Sequence, residues 1–238
     1  MRVFVILPAA GLGTRMAPGQ VTPNAAKQFQ SLAGIPILVH SLRAFAAVPQ
    51  VSAIVVAVRV TEIERVQAIV AEHQLAGRVR VVEGGDSRQE SVGRALAAMQ
   101  AEDDDIVLVH DAVRPLIDSD TIARTIEAVT EHGAAIVGLP AIDTIKQVER
   151  TAHGAIIRTT IPREYVVQAQ TPQGFRWSIL KRAFAEAQAD GFAGTDEASL
   201  VERAGSQVAV VPGSPANLKI TQPGDLELAE FYLKQKHR

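Results

Sequence analysis

Short, nearly continuous runs of β-favouring apolar residues recur along this chain, and stretches of helical periodicity separate them. That alternation constrains the fold more than any single motif. The runs are Val3–Leu7, Ala53–Val58, Val79–Val82, Ile106–His110, Ala135–Leu139 and Val208–Val211. Strands covered on both faces read this way, whereas strands with one wet face alternate apolar and polar residues. Between the runs, Thr61 with Glu64 and Ser87 with Glu90 fit the Ser/Thr-x-x-Glu capping box. Apolar residues then follow at helical spacing: Ile63, Val66 and Val70 in one helix, Val92, Leu96 and Met99 in the other. A further helix starts near Asp118 or Ser119, carries Ile122, Ile126 and Val129, and stops at Gly133. Thr221-Gln222-Pro223 opens a last helix with Leu226, Ala229 and Leu233. The pattern predicts βαβ units, a mostly parallel sheet and right-handed crossovers. Ligands of such sheets gather beyond the carboxyl ends of the strands.

One segment breaks the rhythm. Residues 142–161 hold two β-favouring runs around Thr151-Ala152-His153-Gly154, a hairpin turn. A lone hairpin is marginal in water, so this one packs on something: a second copy of the chain, or its own domain. With no repeat or flexible linker, residues 1–238 are expected to form a single domain.

Composition removes several function classes. The 238 residues carry a formal net charge of −2 and no basic run, which disfavours nucleic acid as a partner. Aromatics, at 4%, leave little for stacking bases. The absence of cysteine excludes disulfides, thiolate metal sites and cysteine nucleophiles, and fits a reducing compartment. No apolar stretch reaches the ~20 residues that cross a membrane. The apolar start stops at Pro8, short for a secretory signal. A cytoplasmic protein with no membrane partner is expected.

The first strand runs into L-P-A-A-G-L-G-T-R-M, residues 7–16. Backbone amides freed by small residues approach phosphate closely, and Arg15 and Lys27 can close over the same anion. A dinucleotide fingerprint would need a third glycine and an acid ~20 positions on. Thr14-Arg15-Met16 lacks the glycine, and the second strand ends at Val58-Arg59. Arg59 leaves an NADP enzyme open. The ATPase loop G-x-x-x-x-G-K-[ST] is absent. Two further strand ends are polar. Glu83-Gly84-Gly85-Asp86-Ser87-Arg88 again brings backbone near a ligand, with Asp86 and Ser91 as hydrogen-bonding groups. His110-Asp111-Ala112-Val113-Arg114 places an acid suited to Mg²⁺ or a sugar hydroxyl, or a local Asp111–Arg114 ion pair.

With these pieces in hand, the sequence resembles the 2-C-methyl-D-erythritol 4-phosphate cytidylyltransferases. The matching segments are P-A-A-G-L-G-T-R-M at 8–16, K-Q-F at 27–29, G-G-D-S-R at 84–88, Ser91, V-H-D-A-V-R-P at 109–115, D-T-I-K at 143–146, T-P-Q at 171–173, T-D-E-A-S at 195–199 and N-L-K-I-T at 217–221. The resemblance implies an α/β fold: a Rossmann-like, doubly wound, mostly parallel sheet of the nucleotide-diphospho-sugar transferase type, with a protruding β-hairpin arm. It implies CTP and a polyol phosphate as substrates, Mg²⁺ as cofactor and pyrophosphate as a product. Ala9, Ala10, Gly11, Gly13, Gly85, Asp86 and Ser91 would surround CTP. Arg15 and Lys27 would stabilise charge at the α-phosphate. Asp111 would sit near metal and substrate, with Arg114 and Thr144 in the substrate region. Arg163 and Lys219 would place the substrate phosphate, with Thr171 beside it. The 142–163 arm would embrace a partner subunit in a homodimer and lend Arg163 and Thr171 across the interface.

Three positions depart from the family pattern. Ala26 replaces the usual proline before Lys27, the 17–26 stretch is longer, and Val113 stands where alanine is commoner. These touch loop rigidity rather than reaction type. The implied chemistry suits a chain without a convincing catalytic histidine, because a phosphate monoester with a second pKa of ~6 is its own nucleophile. Rival readings are a ribitol 5-phosphate cytidylyltransferase, an NADP oxidoreductase and a non-catalytic nucleotide sensor.

Overall fold

The computed structural model describes residues 1–11 and 26–236. The expectations for Gly13, Arg15 and the 17–25 stretch lie outside the described residues. Strand β1 (Val3–Pro8) leads to the short pair β2 (Ser31–Leu32) and β3 (Ile35–Pro36), then helix α1 (Ile37–Ala46). Next come β4 (Val51–Val58), α2 (Ile63–Glu72), β5 (Val79–Glu83), α3 (Arg88–Ala97), β6 (Ile106–Val109), α4 (Ser119–His132) and β7 (Ala134–Pro140). The hairpin is β8 (Ile145–Thr151) with β9 (Gly154–Ile161). The chain then returns as β10 (Val167–Arg176), α5 (Trp177–Ala189), α6 (Glu197–Arg203), β11 (Ala209–Pro212) and α7 (Pro223–Lys236).

Among the described residues the central sheet runs β11-β7-β10-β6-β1-β4-β5. Neighbours are parallel except where β10 inserts antiparallel between β7 and β6. The apolar runs are continuous because both faces are covered. Val3, Val5 and Leu7, with Ile54, Val56, Ile106 and Leu108, face one core with Leu42 and Phe45 of α1 and Ile122 of α4. Ile6, Val55, Ala57, Val107 and Val109 face the other, against Val92 of α3, Leu180 of α5 and Val201 of α6. This is the expected doubly wound arrangement. In register, Pro8 lies opposite Ala57, Val58 opposite Glu83 and Ile6 opposite Val109, so these strands end at one rim.

Three of the expected helix starts form, α7 opening at Pro223 as Thr221-Gln222-Pro223 implied. The Ser87–Glu90 capping box closes in both directions, and Asp118 caps α4 by accepting from the Thr121 amide. Gly133 ends α4 in the left-handed region, φ 84°, where glycine carries no Cβ penalty. The Thr61–Glu64 box does not form. Residues Val60–Glu62 make a 3-10 turn instead, and Glu62, with no side-chain cap, precedes α2. The turn shifts the helix start past Thr61, so its hydroxyl no longer faces the orphan amides.

The hairpin forms as a separate two-stranded sheet whose turn closes at Thr151–Gly154. Nearly every residue of its strands is exposed, including Val148, Ile156 and Ile157.

Candidate active site

The rim collects a cleft. Its lining among the described residues includes Ala9, Ala10, Gly11, Lys27, Gly85, Asp86, Ser91, Asp111 and Lys219. Each strand end is pinned by identifiable bonds. The Ala9 amide donates to the Ala57 carbonyl at 2.7 Å, extending the β1–β4 pairing past Pro8. The Ala9 carbonyl accepts from Gln28 Nε2 at 2.7 Å, and the Ala10 carbonyl from Arg59 Nε at 2.8 Å. Gln28 thus couples the glycine loop to the 3-10 turn Lys27–Phe29, where Lys27 is itself buried.

The second loop is held by α3. The Ser91 hydroxyl donates to the Ser87 carbonyl at 2.9 Å and accepts from the Gly85 amide at 3.1 Å. Glu90 Oε2 accepts from the Asp86 amide at 2.8 Å. A Cβ at Gly84 would stand 2.8 Å from Ala10 Cβ, so glycine is what lets the two loops approach. Asp86 is exposed at the loop tip.

The third strand end carries the charge. The Asp111 carboxylate lies 2.9 Å from Lys219 Nζ, 3.3 Å from Arg88 Nε and 3.3 Å from Arg114 Nε. Burial alone would push this carboxyl up, but Lys219, Arg88 and Arg114 hold it well below the usual carboxylate range. Arg88 Nη1 also sits 2.7 Å from both oxygens of Glu197, a buried residue at the start of α6. Arg114 Nη1 donates to the Asn217 carbonyl at 2.7 Å, and the Ile220 amide to the Val113 carbonyl at 2.9 Å. These bonds fasten the Lys219 segment to the Asp111 turn. Burial pushes the His110 imidazole down to about 4, so it is neutral at physiological pH.

A cleft in which Lys27 and Lys219 accompany one buried carboxylate suits an anionic ligand, and comparison with known proteins narrows the class. Residues 3–235 match the sequence profile of the family described as IspD, 2-C-methyl-D-erythritol 4-phosphate cytidylyltransferase. The chain belongs to the 2-C-methyl-D-erythritol 4-phosphate cytidylyltransferase family. It is 74% identical over 236 residues to the protein of that name from Acidobacterium capsulatum, covering 99% of both. It is 53% identical to the one from Solibacter usitatus, covering 99% of this chain and 97% of that protein. The Francisella tularensis cytidylyltransferase structure superposes with TM-score 0.81 at 33% identity, covering 97% of this chain and 99% of that one. The Anaerococcus prevotii 4-diphosphocytidyl-2C-methyl-D-erythritol synthase gives TM-score 0.82 at 27% identity, covering 98% of both.

Within this cytidylyltransferase framework, the fold brings Ala9, Ala10, Gly11, Lys27, Gly85, Asp86, Ser91, Asp111 and Lys219 to one cleft, with Arg114 on Asp111. The local Asp111–Arg114 pair weighed from sequence is present. Thr144 and Arg163 are not brought there. Both are exposed at the base of the hairpin, where Arg163 Nη1 donates to the Ile142 carbonyl at 2.6 Å. Thr171 is a correction. It is not on the exposed arm that would reach a partner. It is buried in its own chain, accepting from the Asp111 amide at 3.1 Å. The reason is that β10 re-enters the central sheet before reaching Thr171.

Sequence reasoning missed Arg88 as an ion-pair hub, Glu197, Gln28 as a loop clamp and Asn217. Asn217 Nδ2 donates to the Thr171 carbonyl at 2.8 Å. T-D-E-A-S held one readable signal, since Asp196 and Ser199 form a reciprocal cap that starts α6 at Glu197. The Arg88–Glu197 pairing spans 109 positions and has no local signature.

Proposed function

We propose that this chain transfers the cytidylyl group of CTP to 2-C-methyl-D-erythritol 4-phosphate, releasing pyrophosphate and forming 4-diphosphocytidyl-2-C-methyl-D-erythritol for non-mevalonate isoprenoid synthesis. The observation that carries this reading is the convergence of Lys27, Asp111 and Lys219 in one cleft at the strand ends. The substrate's phosphate dianion attacks the α-phosphorus of CTP, so no protein base is required. The chain's task is to bring two anions together and to spread the charge that develops. Lys27 faces the triphosphate alongside the amides of the glycine loop, and Arg15 joins it in this reading. Gly85, Asp86 and Ser91 shape the nucleoside end, and Lys219 with Arg114 receives the attacking phosphate ester.

Mg²⁺ belongs to the same proposal. Among the described residues no cluster of three or more acidic or histidine side chains could hold a metal by itself. Asp111, kept ionised by its cations, fits the common Mg²⁺ arrangement of one or two carboxylates completed by substrate phosphates and water. The ion supplies charge neutralisation on the triphosphate.

The reading further holds that residues 1–238 act as one nucleotidyltransferase domain in a homodimer, with the 142–163 arm placing Thr144 and Arg163 in a partner's cleft. Exposed Ile142, Val148, Ile156, Ile157 and Tyr165 on and beside the arm support this, as does a position for Arg163 outside its own cleft. A cytoplasmic location is part of the reading and agrees with the cysteine-free sequence.

A pyrophosphate-release assay across four nucleotides and two polyol phosphates tests the chemistry. Turnover is expected with CTP and 2-C-methyl-D-erythritol 4-phosphate. Preference for ribitol 5-phosphate would overturn the substrate assignment. Mixing inactive Lys27→Ala and Arg163→Ala chains tests the arm. Random reassortment should restore about a quarter of wild-type activity if Arg163 serves the partner. No recovery on mixing would place Arg163 in its own site.

A further inference from the structure

We infer that His110 and Thr171 form a positioning relay that holds the Asp111–Arg114 turn in its working shape, and that Thr171 acts through this relay rather than as a donor to substrate. The inference rests on the cytidylyl-transfer reading.

The polarity of the relay follows from which atoms can donate. His110 Nε2 lies 3.0 Å from the Arg114 carbonyl oxygen, which only accepts, so Nε2 carries the hydrogen. A neutral imidazole then has a bare Nδ1, which stands 3.0 Å from Thr171 Oγ1. Thr171 has one hydroxyl hydrogen, and it points to that nitrogen. The same oxygen accepts from the Asp111 amide at 3.1 Å. Asp111 N–H therefore donates to Thr171, Thr171 O–H to His110, and His110 N–H to the Arg114 carbonyl. The relay spans the turn from its first amide to its last carbonyl, outside the turn's own Arg114 amide to Asp111 carbonyl bond of 3.0 Å.

Every member is buried, so these bonds face no competition from water. The edge of the Phe45 and His110 rings meets at 4.8 Å between centroids, and Ser41 Oγ donates to the Ala112 carbonyl at 2.9 Å. Helix α1 thereby braces the turn from one side and β10 from the other. The relay starts on Asp111, which lines the cleft, and ends on Arg114, which pairs with that carboxylate. Small displacements there matter, because a ~1 Å misplacement of a positioning group can cost ~10²-fold in rate.

The test is a kinetic double-mutant cycle with a spectroscopic readout. Thr171→Val and His110→Phe should each lower kcat/KM about 10- to 100-fold, while CTP affinity by calorimetry stays near wild type. The double variant should be no worse than the poorer single, because both break one unit. Thr171→Ser should recover most of the activity. Nitrogen NMR of the wild type should report the Nε2–H tautomer of His110. Should His110→Phe fail to fold in urea titration, His110→Asn replaces it. Its amide oxygen can overlie Nδ1 but nothing reaches Arg114, so a partial loss non-additive with Thr171→Val is expected. Multiplicative losses, a Thr171→Ser variant as poor as Thr171→Val, or an Nδ1–H tautomer would overturn the relay. Absence of wild-type turnover with CTP and the polyol phosphate would instead overturn the underlying function, leaving the tautomer measurement to judge the relay.

Discussion

Removing the two partners of the Arg88–Glu197 pair one at a time should give unequal losses. Glu197 is 2% exposed at the side chain and Arg88 29%. Arg88→Met leaves a carboxylate in a buried site with its cation gone. One-sided breakage of a buried pair costs about 3–5 kcal/mol. Glu197→Gln leaves Arg88 within 3.3 Å of Asp111 and partly open to water, so the loss is one charged hydrogen bond, about 1–3 kcal/mol. The double variant should therefore be no less stable than Arg88→Met alone. A pH signature accompanies this. Burial raises the Glu197 carboxyl above its ordinary 4.5, against the downward pull of Arg88. Deleting Arg88 raises it further. A group with a raised folded-state pKa stabilises the fold below its unfolded pKa and loses that contribution as pH rises. The Arg88→Met deficit should thus be smallest near pH 5 and grow toward pH 7.5, by up to about 1.4 kcal/mol per unit. Urea unfolding at the two pH values measures it. A deficit equal at both, or smaller than that of Glu197→Gln, would refute the assignment of Glu197 as a buried, ion-paired carboxylate.

Other outcomes follow from the same geometry. Lys27→Ala should lower turnover by ~10²- to 10³-fold with an unchanged circular dichroism spectrum. Near-full activity would remove Lys27 from the transfer step. Gly84→Ala forces a Cβ to within 2.8 Å of Ala10 and 3.0 Å of Ser91, so it should raise the CTP requirement more than that for the polyol phosphate. Equal effects on both KM values would count against the loop's assignment to CTP. Burial works to raise the Asp105 carboxyl, but the bond from Arg2 and those from the Arg2 and Glu102 amides bring it down to about 2. A depressed group stabilises above its unfolded pKa and loses that contribution as pH falls. Wild-type thermal stability should therefore drop between about pH 4 and pH 2, and Asp105→Asn should flatten that limb. Parallel wild-type and variant curves would show that Asp105 does not set the acid limit.

Four strands buried on both faces, β1, β4, β6 and β7, were legible, because they are apolar at consecutive positions whichever way they face. The caps at Ser87 and Asp118 were legible because a cap is satisfied within a few residues of itself. Strand β10 was not. Its Q-A-Q-T-P-Q-G-F-R has no apolar run, and its place in the sheet comes from pairing between β6 and β7, far off in sequence. The cleft divides in the same way. Small and basic residues after β1, the paired glycines after β5 and the acid after β6 announced themselves as polar residues where an apolar strand stops. The company they keep depended on the assembled sheet. Arg88, Arg114 and Lys219 meet on Asp111, and Thr171 comes in beside His110 from a strand 61 positions away. Local patterning sets what each segment can bond within a turn of itself. Only the packed strand order, fixed by burying two apolar faces at once, determines which distant charges become neighbours.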